Sequence, residues 1–350
     1  MNFQKHEKYI RRCIELAERG IGNVSPNPLV GSVIVFNDKI IGEGYHRKYG
    51  EAHAEVNAIN SVKNKDLLKV STLYVSLEPC AHIGKTPACA DLIVTLGIPK
   101  VVIGSVDPYF KVDGKGISKL KEATIDIMSG ILKDECDFLN RRFFTFHLKK
   151  RPYIILKWAE SGDGFIDRDR TYTNNDRPEW ITNEYCRTLV HKWRTEEDAI
   201  MVGKNTVILD NPRLTSRNWY GHNPVRVVID KMCELPCSYK IFDDMATTII
   251  FNSKQDRKKY NLEYIKIDFS DKILTQILQI LHEKGIQSII VEGGTRTLNE
   301  FILRNLWDEA RIFVGNNNFI SGVKAPAFKG VYDSVSQFGD STLKVIYNKN

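Results

Sequence analysis

The chain has 350 residues, of which 42% are hydrophobic and 27% are charged, and this composition excludes wholesale disorder. Its length suits two domains of roughly 150–200 residues, each able to bury a full core without disulfides. The formal net charge of +7 is modest, and the Lys and Arg residues are dispersed rather than striped, so a nucleic-acid-binding protein is not indicated. A net charge of this size is explained equally well by binding of small anionic ligands.

The seven cysteines lack the dense, even spacing of a disulfide framework, and two of them stand in a metal-like context, which favours a reducing compartment. The first twenty residues carry no apolar segment of the signal-peptide kind. No run of about 18 apolar residues occurs anywhere in the chain. We therefore expect a cytoplasmic protein that makes no membrane contact.

The first part of the chain alternates between helical and β-rich patterns. Residues 6–19 carry apolar side chains at a helical period, and Gly20 follows where a helix C-cap belongs. Asn37-Asp38 separates two β-rich runs, which predicts a hairpin. The expected strands are 29–36, 39–45, 72–77 and 101–106, and the expected helices are 6–19, 54–62, 88–96 and 135–147. This alternation predicts an α/β layer sandwich.

A basic stretch, Lys149-Lys150-Arg151-Pro152, separates this part from a second one, so we predict domains of residues 1–148 and 149–350. The second domain is also expected to be α/β. Its expected strands are 153–158, 199–202, 225–230, 247–252, 288–291 and 311–314, and its expected helices are 183–194, 271–284 and 298–305.

A His, a Glu and two Cys residues stand at the ends of predicted elements in the first domain. His53 and Glu55 lie two apart at a helix start, Cys80 follows a strand, and Cys89 begins the next helix. One imidazole and two thiolates suit zinc and leave a fourth position for water. Helix N-termini favour thiolates, and zinc lowers the pKa of bound water from about 15.7 towards 7. Glu55 is then placed to carry protons from that water to a leaving amine.

The spacing leaves alternatives open. Zinc nucleobase deaminases carry H-x-E with P-C-x-x-C, whereas here eight residues separate Cys80 from Cys89. The chain could be a nucleic-acid-editing deaminase whose second half is a binding module with stacking aromatics. It could also be a non-enzymatic scaffold in which His82 is the fourth zinc ligand. In a third interpretation the cluster binds no metal, and His53 is simply buried beside two core cysteines.

Several segments of the first domain resemble the deaminase of the RibD family of riboflavin biosynthesis. They are Ser25-Pro26-Asn27-Pro28, Gly42-x-Gly44-Tyr45-His46, His53-Ala54-Glu55, and the run from Leu77 to Cys89. The long interval between the two cysteines belongs to that family's pattern. The resemblance implies a cytidine-deaminase-like α/β/α sandwich that removes the 2-amino group of a diaminopyrimidinone carrying a ribosylamino 5-phosphate.

The resemblance also implies site residues in this zinc-dependent pyrimidine deaminase domain. One zinc ion per chain would be held by His53, Cys80 and Cys89, with Glu55 as the catalytic residue. Asn27 and His46 would line the substrate pocket. Taken locally, Asn27 is a turn residue between two prolines, and His46 is a histidine at the end of a strand.

The second domain has no G-x-G-x-x-G dinucleotide fingerprint after a strand. The predicted strand 288–291 runs instead into Glu292-Gly293-Gly294-Thr295, just before a predicted helix. Glycines allow close approach of the backbone, and free N–H groups at a helix start can bind phosphate. A plain tight turn explains the same residues equally well.

This domain resembles the RibD reductase in the segments Lys157-Trp158-Ala159, Trp180-Ile181-Thr182 and Asp198 to Gly203. The resemblance implies a dihydrofolate-reductase-like α/β fold that uses NADPH to reduce the ribosyl group to ribityl. It implies cofactor contacts at Ala159, Trp180, Thr206, Asp210, Gly294, Thr295 and Arg296. It implies substrate contacts at Arg194, Leu214, Arg217 and Glu292, and arginine forks suit phosphate oxygens.

Two positions depart from the family pattern, since Pro178 and Lys231 stand where serine is more common. Some of the predicted contact residues also have a purely structural interpretation. Trp180 could be a core residue, Arg194 a solvated helix charge and Asp210 a turn residue, and the whole domain could be a reductase fold that has lost its site. We expect small phosphorylated pyrimidine substrates, no nucleic acid, and a homo-oligomer.

Overall fold

The computed structural model describes residues 3–81, 88–108, 114–170, 179–328 and 330–349. The chain divides into two compact units, Met1–Lys150 and Arg151–Asn350. Within the described residues, no helix has the length and apolar character needed to cross a membrane.

In the described part of the first unit, the helices are Phe3–Glu18 (α1), Ala54–Ser61 (α2), Cys89–Thr95 (α3), Lys115–Glu122 (α4), Lys133–Leu139 (α5) and Arg141–Lys149 (α6), with a 3₁₀ helix at Lys65–Val70. The strands are Gly31–Phe36 (β1), Lys39–Tyr45 (β2), Thr72–Leu77 (β3), Lys100–Ser105 (β4) and Asp126–Ser129 (β5). They form one sheet in the order β2-β1-β3-β4-β5. Strand β1 runs antiparallel to β2 and β3, whereas β3, β4 and β5 are parallel.

Alternate side chains of β1 bury opposite faces of this sheet. Val33 and Val35 pack in one core with Tyr9 of α1, and Ile34 packs in the other with Ala58 of α2. Successive strand residues point to opposite faces, and helices cover both of them. The predicted α/β/α sandwich is confirmed.

The predicted hairpin is confirmed, since Asn37 and Asp38 adopt φ values of 46° and 62°, as a two-residue turn of this hand requires. The prediction of a single helix over 135–147 is wrong. Asn140 separates α5 from α6, and its buried side chain accepts from Leu29 N (2.8 Å) and donates to Leu29 O (2.9 Å). This pair of hydrogen bonds secures the segment that leads into β1. The pattern also missed α4 and β5.

In the described part of the second unit, the helices are Glu184–Glu196 (α7), Lys204–Asp210 (α8), Ile273–Glu283 (α9) and Thr295–Leu303 (α10), with a 3₁₀ helix at Lys240–Phe242. The strands are Tyr153–Glu160 (β6), Phe165–Asp167 (β7), Ala199–Gly203 (β8), Val225–Ile229 (β9), Thr248–Asn252 (β10), Arg257–Lys259 (β11), Leu262–Lys266 (β12), Ser288–Gly293 (β13), Glu309–Val314 (β14), Val323–Lys324 (β15), Ser334–Phe338 (β16) and Ser341–Tyr347 (β17).

Ten of these strands form one sheet in the order β11-β12-β10-β9-β8-β13-β6-β14-β17-β16. The seven strands from β12 to β14 are parallel, and β11, β17 and β16 pair antiparallel at the two edges. Ile154 and Leu156 of β6 pack on the α9 and α10 side, whereas Tyr153 and Ile155 pack on the α7 side. The predicted second α/β domain is confirmed. Six of its parallel strands and its three longest helices were predicted, whereas α8 and the strands β7, β11, β12, β15, β16 and β17 were not.

Candidate active sites

The three predicted zinc ligands lie together in the first unit. Nδ1 of His53 is 3.5 Å from Sγ of Cys80 and 3.3 Å from Sγ of Cys89, and all three ligand atoms lie within 4.8 Å of one another. Tetrahedral zinc, with Zn–S of about 2.3 Å and Zn–N of about 2.0 Å, places such N and S atoms about 3.5 Å apart. The donor set and spacing therefore fit a zinc ion.

Element ends bring these ligands together. His53 is the N-cap of α2, Cys89 is the first residue of α3, and Cys80 follows β3 after Pro79. The backbone N–H of Cys89 donates to Sγ of Cys80 (3.3 Å), and that of Ala90 donates to the Cys80 carbonyl (3.1 Å). The start of α3 thus holds the Cys80 loop. His82, the alternative fourth ligand, lies outside the described residues.

One of the two sulfur atoms is poised as a thiolate. A hydrogen bond with the Cys89 thiol, assisted by His53 and opposed by burial, lowers the pKa of Cys80 to about 4. The same interaction with Cys80, together with burial, raises the pKa of Cys89 well above its ordinary value. The pair therefore holds one negative charge readily, and a bound dication favours ionisation of the second thiol.

Glu55 lies in the first turn of α2 and is buried. Burial, followed by the charge of Cys80, raises its pKa to about 7, against the opposing effect of His53. A carboxyl group poised near neutral pH can both accept and release a proton, which is the property general acid–base catalysis requires.

Asn27 and His46 form a hydrogen-bonded pair beside the zinc ligands. Nδ2 of Asn27 is 3.0 Å from Nε2 of His46, and Nδ1 of His46 is 3.1 Å from the Ala52 carbonyl. The His46 ring meets the His53 ring edge-on, with centroids 5.4 Å apart. Asn27 is also at a turn, as its local context indicated, because its N–H donates to Val24 O (2.8 Å).

In the second unit, the carboxyl ends of three neighbouring parallel strands form the other candidate site. Because β8, β13 and β6 are adjacent in the sheet, Ala159 at the end of β6 lies at the same edge as the Gly293-Gly294 turn. Gly293 has a φ of 136°, which side-chain-bearing residues rarely adopt, and Gly294 is the N-cap of α10. A Cβ at Gly294 would lie 3.5 Å from Oγ1 of Thr206, so these two residues are direct neighbours.

A buried ion pair lies on the α7 face at this edge. Nη2 of Arg194 is 2.8 Å from Oε2 of Glu292, Nε lies 3.4 Å from Oε1, and both side chains are only about a tenth exposed (11% and 10%). Burial alone would raise the pKa of Glu292, but Arg194 and Lys157 together lower it to about 2. Arg194 is therefore no solvated helix charge, and Glu292 is held ionised.

Cationic groups gather around this pair. Burial, followed by Arg194 and Arg217, lowers the pKa of His191 to about 4, and Nδ1 of this buried ring has no hydrogen-bond partner. Burial, followed by Arg194 and Arg213, also lowers the pKa of Arg217. His191 is therefore neutral at ordinary pH, and the like charges of Arg194, Arg213 and Arg217 favour an anion near them.

Three other residues predicted to bind cofactor or substrate differ in their burial and in their contacts. Trp180 is 65% exposed with the Arg187 guanidinium 4.6 Å above its ring, so its interpretation as a core residue is wrong. Asp210 ends α8 and pairs with Arg170 at 2.6 Å. The side chain of Leu214 is 2% exposed and packs in the core, while its backbone has a φ of 54°. Leu214 can therefore reach a ligand only through its backbone.

Two predicted cofactor contacts lie at the start of α10, and two other positions depart from the family pattern. Oγ1 of Thr295 donates to Lys324 O (3.2 Å), and Arg296 is exposed. Lys231 lies after β9 with its Nζ 5.7 Å from the Phe269 ring centroid. Pro178 lies outside the described residues.

Comparison with known proteins agrees with both halves. The cytidine and deoxycytidylate deaminase zinc-binding region matches residues 3–105, and the RibD C-terminal domain matches residues 152–319. The chain is 39% identical over 313 residues to the riboflavin biosynthesis protein RibD of Aquifex aeolicus, covering 88% of this chain and 86% of that one. The chain belongs to the RibD family.

Other RibD proteins extend this match over nearly the full length. RibD of Bacillus amyloliquefaciens is 40% identical over 341 residues, covering 93% and 90% of the two chains. A crystal structure from Thermotoga maritima, described as a diaminohydroxyphosphoribosylaminopyrimidine deaminase/5-amino-6-(5-phosphoribosylamino)uracil reductase, superposes with a TM-score of 0.89. It is 36% identical, and the match covers 99% of each chain. The Acinetobacter baumannii RibD structure gives a TM-score of 0.87 at 30% identity.

As a member of the RibD family, the chain is a bifunctional enzyme of riboflavin biosynthesis, with a zinc-dependent deaminase and an NADPH-dependent reductase. The RibD assignment is favoured over the alternatives of a nucleic-acid-editing deaminase and a non-enzymatic scaffold. The fold class predicted from the sequence is likewise confirmed.

One charged residue near the Arg194–Glu292 pair was not predicted as a site residue, although it stands in a quoted motif. Burial lowers the pKa of Lys157, against the raising effect of Glu292, so its ammonium lies near that carboxylate. Lys157 follows four apolar residues of β6 and shares the face of Ile155. A lysine inside a buried strand run was the available signal.

Proposed function

We propose that the two domains perform consecutive reactions, with the deaminase domain spanning residues 1–148 and the reductase domain spanning residues 149–350. The first hydrolytically removes the 2-amino group of 2,5-diamino-6-ribosylamino-4(3H)-pyrimidinone 5′-phosphate. The second reduces the ribosyl group of 5-amino-6-(5-phosphoribosylamino)uracil to ribityl. The observation that carries this proposal is the zinc-type cluster of His53, Cys80 and Cys89 beside the buried Glu55.

In the deaminase, His53, Cys80 and Cys89 would hold a zinc ion, which when bound would supply Lewis acidity for activating water. Glu55 does not belong to the ligand cluster, and its raised pKa suits it to moving protons. It takes a proton from the attacking water and gives one to the departing amine, so ammonia leaves as a neutral molecule. Asn27 and His46 border the space in front of the ligands and contact the pyrimidine.

In the reductase, the charges of the α7 face bind the phosphorylated sugar. Arg217 is exposed and makes no hydrogen bond or ion pair within the described chain, and it lies near Arg194. A guanidinium offers a fork of donors to two phosphate oxygens, so Arg217 and Arg194 hold the phosphate. Glu292, kept ionised by Arg194 and Lys157, offers oxygens to donors of the substrate. Leu214 contributes its backbone.

NADPH supplies the hydride, and the protein positions it against the sugar. The Gly293-Gly294 turn carries no side chain beside Ala159, which leaves the backbone open at this strand edge. Thr206, Thr295 and Arg296 surround the start of α10, where free N–H groups favour the anionic part of the cofactor. Trp180 and Asp210 complete the cofactor contacts carried over from the family.

We further propose that the enzyme works in the cytoplasm as a homo-oligomer, without nucleic-acid partners. All seven cysteines are free thiols, which supports a reducing compartment. The exposed edge strand β16 leaves backbone groups available for pairing with another chain.

The experiment is a two-readout assay of the purified, zinc-loaded chain with the diaminopyrimidinone phosphate. Ammonia release is followed first without NADPH, and NADPH oxidation is followed after its addition. The proposal expects ammonia release without NADPH, and NADPH oxidation that depends on prior deamination. Absence of ammonia release would refute the deaminase assignment, and ammonia release without any NADPH oxidation would refute the reductase assignment.

A further inference from the structure

We infer that His46 is a positioning residue that turns the Asn27 amide so that its carbonyl oxygen, and not its NH₂ group, faces the pyrimidine. The deaminase would then select a ring that carries an N–H donor next to the carbon that loses its amine. This inference rests on the proposed deaminase function and concerns how its substrate is recognised.

The Ala52 carbonyl decides which nitrogen of His46 carries the proton. This carbonyl can only accept a hydrogen bond, and it lies 3.1 Å from Nδ1 of His46, so Nδ1 carries a hydrogen. Asn57 donates to the same carbonyl through Nδ2 (3.2 Å), which holds the acceptor in place. The other ring nitrogen, Nε2, lies 3.0 Å from Nδ2 of Asn27, an amide nitrogen that can only donate. With Nδ1 facing an acceptor and Nε2 facing a donor, the two contacts define the Nδ1–H tautomer of His46, with a lone pair at Nε2.

That lone pair decides the orientation of Asn27. Nδ2 of Asn27 donates to this lone pair at 3.0 Å, which fixes the orientation of the amide. The reversed amide would place two acceptors against each other. His46 is buried while Asn27 is only half-buried, so Oδ1, the other polar atom of the Asn27 amide, is the one left for a ligand. Within the described chain, no donor makes a hydrogen bond to it.

The ring N–H between the carbonyl carbon and C2 of the proposed substrate is a donor of the kind that Oδ1 requires. It stands beside the carbon that loses its amino group, and Asn27 stands one side chain away from the ligand His53. An acceptor left unpaired on binding lowers affinity by roughly 5- to 150-fold. A ring with C–H at this position should thus be bound about 10-fold or more weakly.

The test uses two inhibitors of ammonia release in the zinc-loaded chain without NADPH. One is 5-amino-6-(5-phosphoribosylamino)uracil, and the other is its 3-deaza analogue, in which C–H replaces the ring N–H. Their inhibition constants are compared in the wild type, His46→Ala, His46→Gln and Asn27→Ala. The Gln amide can donate to Ala52 and accept from Asn27, as the imidazole does. His6→Ala serves as a matched histidine control, and long-range ¹H–¹⁵N spectra give the tautomer of His46.

The inference expects an Nδ1–H tautomer and an inhibitor ratio of about 10 or more in the wild type, His46→Gln and His6→Ala. The ratio should fall to about 1–2 in Asn27→Ala and in His46→Ala, where Asn27 is free to turn over. An Nε2–H tautomer would overturn it. So would equal weakening of both inhibitors in His46→Ala, since that is what a purely structural role predicts. Ammonia release without inhibitor discrimination would overturn this inference alone, whereas no ammonia release would overturn the proposed substrate as well.

Discussion

Replacing Arg194 with Ala should destabilise the second unit by about 3 kcal/mol, because it leaves the buried Glu292 without its main partner. Against the raising effect of burial, Arg194 and Lys157 together lower the pKa of Glu292 from 4.5 to about 2. At about 1.4 kcal/mol for each tenfold change in the ionisation constant, the two cations together favour ionised Glu292 by about 3 kcal/mol, and Arg194 contributes the larger share because it also donates the hydrogen bonds. Removing one partner of a buried pair commonly costs about 3–5 kcal/mol, which agrees in size. Because the pKa is lowered, this stabilisation is present above pH 4.5 and is lost as the pH falls towards 2.

Tryptophan fluorescence during urea unfolding measures this change in the second unit, because all five tryptophans lie beyond residue 150. The matched control is Arg304→Ala, which removes an exposed i,i+4 pair with Glu300 and should cost no more than about 0.5 kcal/mol. Arg194→Met combined with Glu292→Gln should recover most of the lost stability. Equal effects of Arg194→Ala and Arg304→Ala, or a double variant less stable than Arg194→Ala, would refute the reasoning.

Three further changes separate the roles assigned to other residues. Glu55→Gln should keep one zinc per chain by metal analysis but lower ammonia release by about 10²–10⁴-fold. The control Glu51→Gln, at an exposed residue, should change neither the zinc content nor ammonia release. Loss of zinc in Glu55→Gln would show that Glu55 is a ligand. Arg217→Ala should raise the reductase KM for phosphorylated substrate by about 10- to 100-fold and spare ammonia release, and equal damage to both activities would contradict its role. Asn140→Ala should cost the first unit about 2–4 kcal/mol by circular dichroism, since it unpairs both backbone groups of Leu29; a cost below about 0.5 kcal/mol would contradict that account.

The zinc site was predictable from the sequence because each of its residues stands where an element begins or ends. The periodic patterns located α2, β3 and α3 within a residue or two, and His53, Cys80 and Cys89 lie at their ends. Adjacent strands and the helices between them then bring such ends together. The hairpin was predictable for a similar reason, since Asn37-Asp38 tolerates the positive φ values of its turn.

Contacts that depend on strand order were beyond the sequence patterns. Arg194 and Glu292 are 98 residues apart, and they meet because β13 lies between β8 and β6 with Glu292 facing α7. Neither period nor composition specifies that order. The break between α5 and α6 was missed for a related reason, because the partner of Asn140 is Leu29, 111 residues away. The burial of the Leu214 side chain likewise depends on the packing of the whole domain.

The most direct test of the two-step account is NADPH oxidation by the chain before and after zinc is removed with a chelator, using the diaminopyrimidinone phosphate and the deaminated uracil in parallel. His53, Cys80 and Cys89 all lie in the first unit, so zinc removal should stop deamination and leave reduction intact. The account predicts that the zinc-loaded chain oxidises NADPH with either compound, and the chelated chain only with the deaminated one. Undiminished NADPH oxidation by the chelated chain with the diaminopyrimidinone would contradict it.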